Sequence, residues 1–411
     1  MKRGISKKHQ ALVFPILDIA LNGLNYFFHI FISWYFIPEK YGTLNSLLSL
    51  LAILLVGGIA FQTFTAKSTA ESGLSISNTI NIIKTAIYFN ASAAIILILN
   101  IVFMKNFTRA SYLSVLLIII IFLVNVMLSV FRGMFQGTGE FLNLNKSFYC
   151  EVSFKILYLF AFLKKYPSIN TVLLSILFGM LVAIVYGFIK NRNRLNFNIN
   201  FLEIVSVKKE AIKLLKIFIV NFFFYFFTSI DMLMVNYFLP EKAGVFAVIL
   251  KYNQILQFAT FSILTVFITI LSKNINNKPE FVKKASLAAS IIGGISFVAI
   301  ILYNYVLPPT VGLFFGTAYS EAGKYLVFGL IPYIFMVFSF LIININVVLE
   351  KTRYIGVLLI ATIIITSLLF NFHSSIKSIL IVESVFYFLL MLVLLLQLKF
   401  ETSERSCQNG D

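Results

Sequence analysis

Histidine, cysteine and acid are scarce in this chain of 411 residues, which holds three His, two Cys and 16 Asp and Glu. Cys150 and Cys407 stand far apart in dissimilar contexts, which supports neither a disulfide framework nor a metal site. No P-loop, no H-E-x-x-H and no G-x-S-x-G occurs, and no clustered Cys/His set. A K⁺-channel-type filter motif is missing too. An ATP-driven pump would need a nucleotide-binding domain that these residues do not encode. The expectation is therefore a protein that is not an enzyme and holds neither cofactor nor metal. Charge as a whole is scarce. Charged residues make up 12% of the chain, against about a quarter in ordinary soluble chains. Hydrophobic residues fill 60% of it, with 46 Phe, 19 Tyr and a single Trp, and the mean hydropathy is +0.94. That composition belongs to a polytopic membrane protein and leaves no room for a sizeable soluble catalytic domain.

The formal net charge of +17 could suggest nucleic acid in a soluble protein. Here the cations lie mostly in loops, where the positive-inside rule accounts for them, and no nucleic-acid partner is expected. Lys2, Arg3, Lys7 and Lys8 precede an apolar run and resemble the start of a signal peptide. The run continues from Ala11 to about Ile37, too long for a signal h-region, so it reads as a retained first helix. Apolar stretches long enough to span recur about twelve times, near 11–37, 42–66, 78–104, 111–131, 145–163, 170–189, 212–238, 243–271, 284–307, 322–349, 354–371 and 376–399. Their period is helical, with no alternating barrel pattern. One set of alternate segments holds Lys2, Arg3, Lys7, Lys8, Lys67, Arg132, Lys146, Lys190, Arg192, Arg194, Lys208, Lys209, Lys273, Lys278, Lys351, Arg353 and Arg405, and the opposite set holds fewer cations: Lys40, Lys105, Arg109, Lys164, Lys165, Lys242, Lys324 and Lys377. Both termini should then be cytoplasmic.

One sequence recurs. Tyr35-Phe36-Ile37-Pro38-Glu39-Lys40-Tyr41-Gly42 returns as Tyr237-Phe238-Leu239-Pro240-Glu241-Lys242-Ala243-Gly244, each time between two long apolar stretches. The offset is about half the chain, so the sequence reads as a fused duplication. The expected organisation is an all-α integral membrane protein: an N-terminal six-helix bundle over 1–190, a basic cytoplasmic linker over 191–211, a C-terminal six-helix bundle over 212–399 and a cytoplasmic tail over 400–411. Six helices per half bring both halves into the membrane in the same sense. The pseudo-two-fold axis relating them should run along the membrane normal.

Polar groups facing hydrocarbon are costly, so polar stripes mark an interior. Asp18, Asn22, Asn25 and His29 follow one another at i, i+4, i+7 and i+11, on one narrow helix face. Asn125, Ser129, Arg132 and Gln136 repeat that spacing, and Asn221, Tyr225, Thr228 and Asp231 cover a wider arc. In the duplication register Asp231 is the counterpart of His29. Helix–helix hydrogen bonding would account for the Asn and Ser members without any functional role. For Asp18 and Asp231 the cost of a membrane carboxylate favours function, while His29 suits either a proton-linked group or a packing role. Lys251 lies eight residues into its stretch, roughly 12 Å from the helix end, too deep for easy snorkelling. It either pairs with an acid such as Asp231 or points into a water-filled lumen, with Gln254 and Gln257 extending the polar surface. Glu151 and Lys155, at i and i+4 with Glu first, read as a structural ion pair. Glu383 has no evident partner. Pro15 and Pro332 fall inside helices and permit kinks.

Three segments resemble a known group. Arg132-Gly133-Met134-Phe135-Gln136-Gly137-Thr138-Gly139-Glu140-Phe141 is similar to the R-G-x-x-Q-G-x-x-x-F segment of bacterial polysaccharide flippases. Asp231 to Gly244, continued by Val245–Gln257, resembles their seventh-to-eighth helix junction, and Leu313-Phe314-Phe315-Gly316-Thr317-Ala318-Tyr319 resembles their L-F-G-x-x-Y element. The resemblance, over nearly the whole chain, is to the Wzx-type oligosaccharide flippases of the multidrug/oligosaccharidyl-lipid/polysaccharide exporter superfamily. It implies two bundles around a lumen, alternating access, and transfer of a polyprenyl-pyrophosphate-linked oligosaccharide from the cytoplasmic to the outer leaflet of a bacterial plasma membrane. Membrane lipid and a polysaccharide polymerase and co-polymerase are the implied partners. Lys251 and Arg132 would then neutralise the pyrophosphate, with Asn22, Asn25, Asn125, Asn221 and Gln254 lining its path. Asp18, His29 and Asp231 would be the coupling-ion candidates. A cation-coupled drug or metabolite antiporter of the same fold is the alternative, but it should hold more lumenal acid than base.

Overall fold

The computed structural model describes residues 7–72, 76–192, 207–275 and 277–408. All its elements are helical among the described residues, in agreement with the all-α expectation. The chain separates into two compact units, one of Met1–Phe36 with Thr43–Ser229 and one of Ile37–Gly42 with Ile230–Asp411. Eight of its helices are long and apolar enough to cross a membrane, counted among the described residues.

The first unit holds α1 (Lys7–Ser33), most of α2 (Pro38–Ser72), α3 (Ile76–Leu99), α4 (Ile101–Thr108), α5 (Tyr112–Gly137), α6 (Phe141–Phe162), α7 (Ile169–Asn191) and α8 (Val207–Phe227). Caps set several of its starts. Ser111 Oγ accepts from the Ser114 amide at 3.1 Å and Ser168 Oγ from that of Thr171 at 3.2 Å, each satisfying a first-turn N–H that the helix itself cannot. α5 is the most enclosed helix here, with Val115, Ile118, Phe122, Val126 and Met134 all buried. α6 and α7 pack along it and α1 packs along α6.

The second unit holds α9 (Ile230–Phe238), α10 (Pro240–Lys273), α11 (Lys278–Ile301), a π-helical turn over Leu302–Val306, α12 (Pro308–Phe315), a 3₁₀ segment over Thr317–Tyr325, α13 (Leu326–Val348), α14 (Arg353–Asn371) and α15 (Ile376–Gln408). α13 lies against α10 and α15 and forms the core, and Pro332 falls inside it as expected.

Two expected spans are interrupted. The stretch 78–104 breaks at Asn100, whose side-chain amide donates to the Ile96 carbonyl at 2.8 Å. The stretch 212–238 breaks after Phe227, where Thr228 Oγ1 donates to the carbonyls of Phe224 and Tyr225 at 3.1 and 3.3 Å. In both, a short polar side chain offers the helix carbonyls an alternative partner and ends the regular ladder. The second break is also where the units divide, so α8 groups with the first unit. The linker expected at 191–211 lies largely outside the described residues.

Residues 37–42 belong to the second unit for a steric reason. A Cβ on Gly42 would fall on the side chain and backbone of Ala243, and one on Gly244 would fall on the Pro38 backbone. The two copies of the duplicated octapeptide thus pack directly on each other, and no other residue fits at either glycine. Tyr41 is fully buried beside them, its ring edge-on to Tyr319 at 5.4 Å. Gly316 ends α12 at φ 98° and ψ 159°, a conformation reserved for glycine. No atom stands within 4 Å of where its Cβ would sit. Gly316→Ala should therefore cost about 1–3 kcal/mol through backbone strain alone. Thermal unfolding in detergent, set beside Gly312→Ala in the neighbouring helix, measures it.

Candidate functional site

Each unit places ionisable side chains where lipid and water are both excluded. In the first unit they sit on α1, α5 and α6. Arg132 of α5 is buried, and its guanidinium donates to Glu151 Oε2 of α6 at 2.6 Å, to Ser147 Oγ at 3.2 Å and to the Ser147 carbonyl at 3.3 Å. It also lies over the Phe148 ring, 4.0 Å from the centroid. A planar fork can meet carboxylate, hydroxyl, carbonyl and ring together, as an ammonium cannot. The Glu151–Lys155 ion pair expected from the i, i+4 spacing does not form. Arg132 takes the carboxylate, and Lys155 turns to α1, where Nζ donates to Asn25 Oδ1 at 2.7 Å and stands 4.2 Å from the Phe28 ring centroid. Arg132 is accordingly a neutralised cation, while Lys155, equally buried, is held by an amide and a ring face.

Other expected residues stand more loosely in this unit. Asn22 and His29 are half-buried on α1, with His29 edge-on to Phe28. Asn125 is half-buried on α5 and packs against Gly58 of α2. Asn221 is half-buried on α8. The Asp18 side chain lies outside the described residues.

In the second unit Lys251 of α10 is buried, at 7% exposure. No ion pair or hydrogen bond engages it among the described residues, so the pairing with Asp231 left open by the sequence is not made. Asp231, on the first turn of α9, is also buried, and its Oδ1 accepts from the Met232 amide at 2.7 Å. Glu383 of α15 is buried in the same unit, as are Tyr333 of α13 and Tyr387 of α15. Tyr333 Oη donates to Gln257 Oε1 at 3.3 Å, which ties α13 to α10. Gln254 is half-buried one turn from Lys251.

The structure brings together Asn25 with Lys155 and Arg132 with Glu151, and it buries Asp231 and Glu383 in the second unit. Sequence reasoning did not single out Lys155, Glu383, Tyr333 or Tyr387 as site residues. Glu383 and Tyr387 stand four apart on one helix, a spacing that could have flagged them. Tyr333 follows Pro332 in an otherwise apolar helix and carries no such mark. A buried carboxylate can hold a proton or a monovalent cation, and a lysine without a counter-ion can hold an anion.

No family model matches the sequence, and no curated protein sequence matches it. Solved structures do resemble it. An inward-facing multidrug resistance MATE family transporter of the MOP superfamily matches with TM-score 0.75 at 11% identity, over 95% of this chain and 98% of that one. A MOP superfamily transporter from Pyrococcus furiosus, described as having a binding pocket of reversed polarity that suggests a different function, matches with TM-score 0.67 at 12% identity, over 97% and 95% of the two chains. An outward-facing MATE family transporter matches with TM-score 0.64 at 12% identity, over 98% and 97%. At such identities these likenesses establish the fold: this all-helical chain of two compact units has the fold of MOP superfamily transporters.

Proposed function

We propose that this protein is a membrane transporter that works by alternating access. Its cargo is a polyprenyl-pyrophosphate-linked oligosaccharide, moved from the cytoplasmic to the outer leaflet for surface polysaccharide assembly. The carrying observation is Lys251, a buried cation with no carboxylate to neutralise it among the described residues. An isolated buried lysine is costly to keep charged, and a ligand that supplies the missing partner makes the charged form favourable. A pyrophosphate is such a ligand. Lys155, buried and held by Asn25 and the Phe28 ring, supplies a second cation in the other unit. Arg132 leaves the set of substrate-neutralising residues on this reading, because Glu151 already neutralises it; its role is to hold α5 to α6. Asn22, Asn25, Asn125, Asn221 and Gln254 serve the sugar. Asp231 is the favoured coupling-ion site, with Glu383, Asp18 and His29 as further candidates. The setting is the plasma membrane of a bacterium, with both termini cytoplasmic and a polymerase and co-polymerase receiving the product.

A second reading has its own support. The buried carboxylates of the second unit, Asp231 and Glu383, suit a cation-coupled drug or metabolite antiporter, and transporters described as multidrug resistance proteins share the fold. A deletion strain separates the two. Polyprenyl-linked oligosaccharide should accumulate on the cytoplasmic membrane face, and surface polysaccharide should be lost. Normal surface glycan with no accumulation, in a strain lacking any second flippase, would leave the antiporter standing.

A further inference from the structure

A cavity of about 500 Å³ opens in the second unit between the π-helical turn, the start of α12, the 3₁₀ segment and the start of α13. Its size falls within the roughly 300–1,000 Å³ of small-molecule sites. By the distribution of Lys and Arg, these loops belong to the outer side of the membrane.

Its walls are firm. Tyr303, inside the π turn, donates its hydroxyl to the Tyr252 carbonyl of α10. Tyr252 Oη and Thr310 Oγ1 are 2.7 Å apart, and Thr310 Oγ1 in turn donates to the Leu307 carbonyl at 2.6 Å. The π turn that extends α11 carries Tyr303 into the wall and leaves Asn304 exposed beside it, and such turns are frequent at functional sites.

Its polar groups are unclaimed. Asn304, Ser320 and Lys324 line the cavity, and none has an intramolecular hydrogen bond or ion pair among the described residues. The nearest carboxylate in sequence, Glu321, is engaged by Lys242 at 2.7 and 3.0 Å, so Lys324 is left without a counter-ion. A second cation stands close by. Lys377 Nζ lies 5.6 Å from the ring centroid of Phe328, itself part of the lining.

We propose that this cavity binds a phosphorylated sugar. Lys324 and Lys377 take the phosphate, Asn304 and Ser320 take hydroxyls, and the Phe328 ring takes the apolar face of the pyranose. The proposal rests on the flippase reading for its physiological ligand: the headgroup as it emerges on the outer face.

The test uses the full chain in nanodiscs of phosphatidylcholine, titrated with glucose 1-phosphate and with inorganic phosphate under ligand-observed NMR. Glucose 1-phosphate should bind saturably and more tightly than phosphate. Lys324→Gln should weaken both by on the order of tenfold, the worth of one charged contact, and adding Lys377→Gln should weaken both further. Asn304→Ala should remove only the advantage of the sugar. Lys164→Gln, exposed in the first unit, should change nothing. Unaltered affinity in the double lysine variant would overturn the site, and so would equal affinity for the two probes. Loss of glucose 1-phosphate binding when phosphatidylglycerol enters the nanodisc would assign the cavity to a lipid headgroup and overturn the sugar. If lysine-dependent binding persists in a protein that moves no lipid-linked oligosaccharide in reconstituted vesicles, the site stands and the flippase reading alone fails.

Discussion

Lys251→Met should abolish transport and, at the same time, raise the protein's stability. A buried cation without a partner costs several kcal/mol of lost solvation. Replacing such a group with an apolar side chain of similar volume stabilises proteins by about 1–4 kcal/mol. The same change removes the charge assigned to the substrate pyrophosphate. Activity should fall at least tenfold, since one charge-assisted contact is worth roughly 1.5–3 kcal/mol. Opposite signs in the two readouts mark a residue kept for function rather than for folding. Thermal unfolding of purified protein gives the first, and transfer of lipid-linked oligosaccharide in reconstituted vesicles gives the second. Lys164→Ala should leave both near wild type. Equal transport by Lys251→Met and wild type would remove Lys251 from the site.

Arg132 should behave in the reverse way. Arg132→Met alone strands Glu151, and Glu151→Leu alone strands Arg132; each should cost about 3–5 kcal/mol, the usual penalty for breaking a buried pair from one side. The double variant should recover most of that loss, because no unpaired charge is left behind. A double-mutant cycle on thermal or denaturant unfolding checks it. Strict additivity of the two single losses would mean that the 2.6 Å contact is not what holds α5 to α6.

The helices were legible because their code is crude: runs of apolar residues, broken by polar loops, survive any detail of packing. The interruptions at Asn100 and Thr228 were not legible. One amide or hydroxyl folding back on its own helix leaves no trace in hydropathy, and Asn and Thr are common inside helices that do not break. The burial of Lys251 could be read from its depth in an apolar run, but whether Asp231 pairs with it could not. The partner of Glu151 could not, because spacing along one helix favours Lys155, whereas the contact that forms reaches across to α5. Local rules rank neighbours on a helix; they are blind to an arginine brought close by the packing of another. Glu383 illustrates the same limit, since its burial on α15 comes from the packing of that helix on α13 and not from its neighbours in sequence.

The contact between the two copies of the octapeptide bears on how a duplicated chain can diverge. In a homodimer of single halves, Gly42 and Ala243 would be the sites of one repeated sequence, and whatever stood at the variable position would stand there twice. Here that position holds Tyr41 in one copy and Ala243 in the other, both with 0% exposure. The tyrosine spreads over Tyr319, and the alanine leaves space for the approach of Gly42. Two tyrosines could not share that contact, and two alanines would leave Tyr319 unfilled. Two copies carried on one polypeptide can differ at that position, so a bulky and a small residue can meet there as they could not between identical chains.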